Sequence, residues 1–152
     1  MRFVADAPND LWQMDWLGYP RLPDGHVYPL TVLDDHARFV LAVVACADQR
    51  LETVQTALTA LFRQYGLPQR ILADNGPPWG TAGAGGITAL EAWLLRLGIT
   101  VTHGRPRHPQ TQGKLERTHR TLRAELPGSR AFPDLASAQA AFDVWRQGYN
   151  HD

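Results

Sequence analysis

The sequence has one cysteine, no net charge and no long apolar run. The single cysteine and the lack of a long apolar run each exclude a class of protein. Cys46 alone cannot form an intrachain disulfide or a zinc site with several thiolates, and its apolar neighbours predict a buried thiol in a reducing compartment. No stretch approaches the roughly 20 apolar residues of a membrane span, and the first ten residues lack the apolar run of a signal peptide. We therefore expect a cytoplasmic protein.

Internal repeats and low-complexity segments are also missing. The 152 residues, of which 44% are hydrophobic, have the composition of an ordinary globular protein. A chain of this length can bury a substantial core, so we expect a single domain, 1–152.

The net charge of zero argues weakly against a nucleic-acid partner, but the charges are unevenly placed. Residues 103–123, HGRPRHPQTQGKLERTHRTLR, contain six Lys/Arg and one acid, a local charge of +5. Residues 1–102 carry −3 and residues 124–152 carry −2. One basic segment in a mildly acidic chain indicates a localised contact with an anion. Its first part, 103–113, is rich in Pro and Gln and predicts a mobile loop; a helix follows from Lys114.

The apolar pattern predicts five strands and four helices in the order βββ-α-β-α-β-α-α. The strands are expected at 11–18, 27–33, 38–46, 70–74 and 99–102, and the helices at 51–65, 87–97, 114–123 and 135–149. Period-2 and β-branched segments indicate the strands, and apolar residues spaced by three or four indicate the helices. An antiparallel meander followed by βα units predicts an α/β fold, in which helices flank a mixed sheet.

Three acids lie where such a fold gathers functional groups. Asp15 interrupts an aromatic strand, Asp74 ends the strand RILAD, and Glu116 opens the helix of the basic segment. Functional groups of open α/β sheets collect beyond the carboxyl ends of strands, and three carboxylates from separate elements suit a hard divalent cation. The alternatives are an edge or turn role for Asp15, a turn former at Asp74, and a solvated helix acid paired with Arg120 for Glu116.

The motifs MDW, ADNGPP and HGRPRHPQTQGKLERTHRTL, in this order, resemble those of the catalytic cores of DDE transposases and retroviral-type integrases. The resemblance runs from Trp12 to Asn150 and is greatest to bacterial insertion-sequence transposases of the IS481 and IS3 type. It implies an RNase H-like fold with a five-stranded mixed sheet. It also implies that Asp15, Asp74 and Glu116 are the catalytic residues and bind two Mg²⁺ ions, with Mn²⁺ as a substitute. The 41 residues between Asp74 and Glu116 exceed the retroviral spacing, and we expect the Gly-rich loop 80–86 to contain the surplus.

The same resemblance implies hydrolysis of a phosphodiester at the ends of a mobile element, followed by transfer of the 3′-OH into target DNA. It further implies a homo-oligomer assembled on DNA at the bacterial nucleoid. Relatives add a helix-turn-helix and continue past Asn150, so we expect an excised core of a longer transposase. Two alternatives stay open: a nuclease limited to hydrolysis, and a non-catalytic DNA-binding or assembly module.

The basic segment is expected to hold the DNA. Arg120 and Arg123 follow Glu116 by four and seven residues and share its helix face, as does His119 at three residues. A solvated basic face is the alternative for the arginines, and packing is the alternative for His119. The expected DNA-binding residues are Arg105, Arg107, His108, Gln110, Lys114, His119, Arg120 and Arg123. The expected residues of the site loop are Asn75, Gly76 and Gly113.

Other features receive structural interpretations. Asp34 and Asp35 are rival carboxylates, but they follow a strand, and we expect them to hydrogen-bond a turn. The glycines of 83–86 lack the Lys-Ser/Thr of a phosphate-binding loop. Of the five Trp, Trp79 is expected near the site and the others mostly in the core.

Overall fold

The computed structural model describes residues 7–18, 22, 25–36, 39–73, 87–103, 113–126 and 132–151. Its strands are β1 (Leu11–Trp16), β2 (Tyr28–Asp34), β3 (Phe39–Cys46), β4 (Arg70–Ala73) and β5 (Thr100–His103). Its helices are α1 (Leu51–Tyr65), α2 (Ala89–Arg96), α3 (Gly113–Glu125) and α4 (Leu135–His151). The predicted order of elements is confirmed. The bounds of α1 are those predicted, and the bounds of the other elements differ by at most two residues. Within these ranges, no helix combines the length and the apolar character that crossing a bilayer requires.

The five strands form one mixed sheet in the order β3-β2-β1-β4-β5. β1 is central: it pairs antiparallel with β2, through Asp15 opposite Thr31, and parallel with β4, through Gln13 opposite Leu72. β3 extends the antiparallel side and β5 the parallel side. The predicted meander joined to parallel strands is therefore confirmed.

Alternate residues of the sheet enter two separate cores. On one face, Trp12 and Met14 of β1 pack with apolar residues of α1 and α2. On the other face, a second cluster contains Leu17, Leu122 of α3 and Phe142 of α4. Because successive side chains of a strand point to opposite faces, Asp15 belongs to the face that α3 and α4 cover. Burying both faces accounts for the three-layer arrangement of helix, sheet and helix.

Local sequence signals set the ends of α1 and α2, the helices on one face of the sheet. α1 stops at Gly66, whose φ of 91° lies in the left-handed region that glycine adopts without strain. α2 begins at Thr88, whose hydroxyl accepts a hydrogen bond from the Glu91 N–H at 3.1 Å. Gly98, with φ of 83°, then turns the chain into β5.

Side-chain amides of α4 cover the backbone of the edge strand β3. Asn150 accepts from the Val40 N–H at 2.9 Å through its Oδ1 and donates to the Val40 carbonyl through its Nδ2 at 2.9 Å. Gln139 does the same for two residues, accepting from the Ala45 N–H at 2.7 Å and donating to the Val43 carbonyl at 2.9 Å. The helix thus satisfies backbone groups that an edge strand otherwise leaves to solvent.

Candidate active site

Asp15 lies on the central strand, one residue before its end. Its side chain is half-buried, and Oδ1 accepts a hydrogen bond from the backbone N–H of Trp16 at 2.8 Å. On the same face, its cross-strand partner Thr31 is fully buried. The Thr31 hydroxyl donates to the Asp15 carbonyl oxygen at 2.9 Å. The backbone and the carboxylate of Asp15 are therefore both held by hydrogen bonds.

The second predicted acid follows the neighbouring parallel strand. β4 ends at Ala73, which is buried and immediately precedes Asp74 in the chain. Asp74 itself lies outside the described residues, as do Asn75 and Gly76. The structure thus establishes the strand that leads to Asp74, and the role of Asp74 stays a prediction.

α3 brings Glu116 to the sheet face that contains Asp15. Leu115, Thr118, His119 and Leu122 form the buried side of the helix, which packs against β1. Glu116, in the first turn, is exposed, and a carboxylate there is stabilised by the helix dipole. Within the described part of the chain, no ion pair joins Glu116 to Arg120, the cation four residues on.

His119 turns inward from the same helix. Its side chain is only 7% exposed, and Nε2 lies 2.6 Å from the Thr31 hydroxyl oxygen. Burial, and to a lesser extent the charge of Arg123, lowers the His119 pKa from its usual 6.5 to about 4. The buried ring is what the packing alternative for His119 predicts. Direct contact with a phosphate would require the ring to leave Thr31.

The His119 pKa leads to a prediction about acid stability. A ring with a pKa near 4 in the folded state and 6.5 in the unfolded state stabilises the fold fully above pH 6.5 and progressively less as pH falls towards 4. His119→Gln should reduce the stability lost between pH 7 and pH 4 by about 3 kcal/mol, at 1.36 kcal/mol per pKa unit. Urea denaturation of both proteins at several pH values measures this difference. Equal pH dependence in the two proteins would contradict the buried neutral ring.

Arg123 lies over the chain at the end of β1. A Cβ atom built on Gly18 would be 3.4 Å from Arg123 Nη2, so the guanidinium lies beside Gly18, two residues after the end of β1. Arg120 is exposed on the same helix. Gly113 is the first residue of α3, and Lys114 belongs to the same first turn, although its side chain is outside the described part. The other predicted DNA-binding residues, Arg105, Arg107, His108 and Gln110, lie outside the described residues, as does Trp79.

The donors of this region fit a hard divalent cation. Mg²⁺ takes oxygen ligands and binds proteins through one or two carboxylates together with substrate oxygens. Asp15 and Glu116 supply such oxygens from two elements that pack together. The described residues alone contain no group of three His, Cys, Asp or Glu side chains able to hold a metal. Because Asp74 is not among them, the predicted triad is not tested by that result.

The rival carboxylates have structural partners at the other end of β1. Asp34 accepts hydrogen bonds from the Asn9 and His36 N–H groups at 2.9 and 3.0 Å. Asp35 is fully buried and accepts from Gln13 Nε2 at 2.6 Å. Asp34 pairs with Trp12, three residues or about 10 Å of strand from Asp15. The expected turn hydrogen bond is present for Asp34, whereas Asp35 accepts from a side chain of β1.

Comparison with known proteins identifies the family. A model described as integrase core domain matches residues 5–109, and a second model with the same description matches residues 97–152. The "Insertion element IS407 uncharacterized 31.7 kDa protein" of Burkholderia multivorans is 28% identical over 147 residues, which are 97% of this chain and 51% of that protein. The Gag-Pro-Pol polyprotein of sheep pulmonary adenomatosis virus is 31% identical over 124 residues, 78% of this chain and 6% of the polyprotein. That of mouse mammary tumor virus is 29% identical over 119 residues, with the same coverage.

The fold has a match among solved structures. A chain in the cryo-EM structure of the simian T-cell lymphotropic virus intasome, in complex with PP2A regulatory subunit B56 gamma, superposes with a TM-score of 0.75. The two chains are 19% identical, and the match covers 99% of this chain and 51% of that one. The expected RNase H-like fold is confirmed.

This chain spans about half the length of its insertion-element relative and a small part of the viral polyproteins. Because the first integrase core domain model matches residues 5–109, more than half of the chain, the chain belongs to the integrase core domain family.

Proposed function

We propose that this chain is the catalytic core of a DNA transposase or integrase, which hydrolyses a phosphodiester at the end of a mobile element and joins the resulting 3′-OH to target DNA. The observation that carries the proposal is the packing of α3, with Glu116 in its first turn, against the strand that carries Asp15. Family membership supports the same class of reaction. DNA and further copies of the chain, assembled on the DNA, are the proposed partners.

The parallel register supports Asp74 as the third carboxylate. Gln13 pairs with Leu72, and Asp15 and Asp74 each follow two residues later in the chain. In the sequence, Asp74 directly follows Ala73, the last residue of β4. Asp15, Asp74 and Glu116 are therefore proposed as one cluster.

Asp15, Asp74 and Glu116 would hold two Mg²⁺ ions, or Mn²⁺ in their place. Divalent ions in such sites activate water and stabilise charge on the attacking and leaving oxygens of an in-line displacement at phosphorus. The residues of the chain would orient the metal ligands and bind the DNA. The Trp16 N–H fixes one Asp15 oxygen, and the exposed Glu116 projects from the first turn of α3. Arg120 and Arg123 would bind phosphates of the incoming strand, which sets position and affinity without reading sequence.

Arg123→Gln tests this phosphate contact. Removing one cation from a DNA interface lowers affinity for all sequences and reduces the salt dependence of binding, by about one unit in the slope of log K against log salt for each phosphate contact. Fluorescence anisotropy with a labelled duplex at several salt concentrations measures both effects. Arg63→Gln, an exposed arginine near the end of α1 on the opposite side of the sheet, is the matched control and should leave the slope unchanged. Equal slopes for both variants would argue against an Arg123–phosphate contact.

The reaction itself is tested with supercoiled plasmid and a labelled duplex that ends in a 3′-OH. With Mn²⁺, we expect nicked plasmid and a covalent joint between the label and the plasmid. Nicking without joining would instead indicate the nuclease limited to hydrolysis. DNA binding without either product, together with no carboxylate-dependent Mn²⁺ binding in a calorimetric titration, would indicate the non-catalytic module.

A further inference from the structure

Two buried hydrogen bonds connect α3, β2 and β1. His119 Nε2 lies 2.6 Å from Thr31 Oγ1, and the same hydroxyl lies 2.9 Å from the carbonyl oxygen of Asp15. Thr31 is fully buried and His119 is 7% exposed, so water does not compete for either bond. A hydroxyl shared in this way joins the helix of Glu116 to the strand of Asp15.

We propose that His119 and Thr31 are positioning residues for the catalytic carboxylates, acting through this relay from α3 to the backbone of Asp15. The proposal rests on the proposed function for its consequence in catalysis. Neither residue needs to touch metal or DNA. Their contribution is to fix where α3 lies along β1, and with it the separation of Glu116 from Asp15.

The single hydrogen of the Thr31 hydroxyl determines which group donates in each of the two hydrogen bonds. The Thr31 hydroxyl has one hydrogen and can accept through its oxygen. Because its only acceptor on β1 among the described residues is the Asp15 carbonyl, that hydrogen is directed to Asp15. His119 must then donate through Nε2–H, which leaves Nδ1 with its lone pair. The lowered pKa of His119 agrees, since a neutral ring with Nε2–H is what the relay requires at pH 7. The charged group that contributes to this lowering is Arg123.

Because of the geometry of α3 and β1, the relay sets the positions of the two carboxylates. Glu116 precedes His119 by three residues, so the two side chains lie about one turn apart on the same helix. Asp15 and Thr31 are direct cross-strand partners, which places their Cβ atoms about 5 Å apart. The buried Thr31 hydroxyl therefore links the two elements that carry the carboxylates, β1 with Asp15 and α3 with Glu116. Rigid support of this kind is what metal-binding side chains need to keep a productive geometry.

The test compares Thr31→Val, Thr31→Ser and Asn150→Ala in the full chain. Valine keeps the shape of threonine but removes the hydroxyl, whereas serine retains it. Asn150→Ala removes two hydrogen bonds of the same kind between α4 and β3, away from Asp15, and controls for lost stability. Plasmid nicking is measured against Mn²⁺ concentration for each protein, and thermal unfolding is measured in parallel.

Thr31→Val is expected to raise the Mn²⁺ concentration for half-maximal nicking by about 10- to 100-fold, the range found for partners that orient metal ligands. Thr31→Ser should keep the wild-type value to within about threefold, well below that range. Asn150→Ala should leave the value unchanged, although it lowers the unfolding temperature as much as Thr31→Val does. The same Mn²⁺ dependence in Thr31→Val and Asn150→Ala would overturn the proposal.

A second readout is independent of catalysis. In ¹⁵N-histidine NMR spectra at pH 7, wild-type His119 should show the Nε2–H tautomer, and its Nε2 resonance should shift in Thr31→Val but not in Asn150→Ala. An Nδ1–H tautomer, or an Nε2 resonance unaffected by Thr31→Val, would overturn the relay. If wild-type protein nicks no DNA under any condition, the proposed function is wrong, and the NMR spectra still decide whether the relay exists.

Discussion

Asp15→Asn should reduce Mn²⁺-dependent nicking of plasmid by about a thousandfold or more. Asparagine keeps the size of aspartate and an oxygen for the Trp16 N–H, but it lacks the charge that a divalent cation requires. Loss of a carboxylate from such a site removes several kcal/mol of transition-state stabilisation, and each 1.36 kcal/mol is a factor of about ten in rate. Initial nicking rates at saturating Mn²⁺ measure the loss. Unfolding of the variant should remain within about 0.5 kcal/mol of wild type if charge alone has changed.

Glu116→Gln should show a comparable loss, because the two carboxylates are proposed to act on the same ions. Glu52→Gln is the matched control: it removes an exposed acid from the first turn of α1, on the opposite face of the sheet. Full activity in Asp15→Asn or Glu116→Gln would contradict the assignment of these residues. A loss in Glu52→Gln as large as theirs would show that net charge, and not the site, governs the rate.

Leu122→Ala has the largest expected effect on stability. Leu122 is fully buried on α3, in the cluster that also contains Phe142 and Val43. Truncating a buried leucine costs about 2–5 kcal/mol, through lost burial and the cavity that remains. A native domain has only about 5–15 kcal/mol of stability, so this one change removes a large share of it. Urea denaturation at 25 °C measures the change in the free energy of unfolding.

The control for Leu122→Ala is Val144→Ala on α4, where the valine is 72% exposed and should contribute less than about 0.5 kcal/mol. A second consequence concerns the site, since Leu122 helps hold the helix that carries Glu116 against the sheet. Nicking by Leu122→Ala should therefore fall more steeply with temperature than nicking by wild type. A loss below about 1 kcal/mol would show that α3 is not anchored by this residue.

The sequence predicted the fold because local patterns determine most of it. Trp12 and Met14 alternate with Asp15 along one strand, and apolar residues at helical spacing mark the helices, so both faces of the sheet were foreseeable. Gly66 and Gly98 marked where two helices end. The α/β architecture followed from these patterns, and the family resemblance followed from the motifs MDW, ADNGPP and HGRPRHPQTQGKLERTHRTL. The fold and the family comparison confirm both.

The candidate site was harder to predict from the sequence, because its contacts join residues far apart in the chain. Nothing local distinguishes Thr31 from any polar residue in a buried strand. Its role depends on a partner 88 residues away, His119, and on the register that sets it opposite Asp15. The helix spacing placed His119 near Glu116, but only packing decides that its ring turns inward. The covering of Gly18 by Arg123 is likewise a product of how α3 crosses β1.

The amides of α4 along β3 have a consequence for self-association. A bare edge strand is a template on which a second chain can add its own strand. The register of β3 skips Leu41, so Val40, Val43 and Ala45 all present backbone groups to α4. Asn150 and Gln139 already bond four of these groups: the N–H and carbonyl of Val40, the carbonyl of Val43 and the N–H of Ala45. These four groups are therefore not available to pair with a strand of a neighbouring copy.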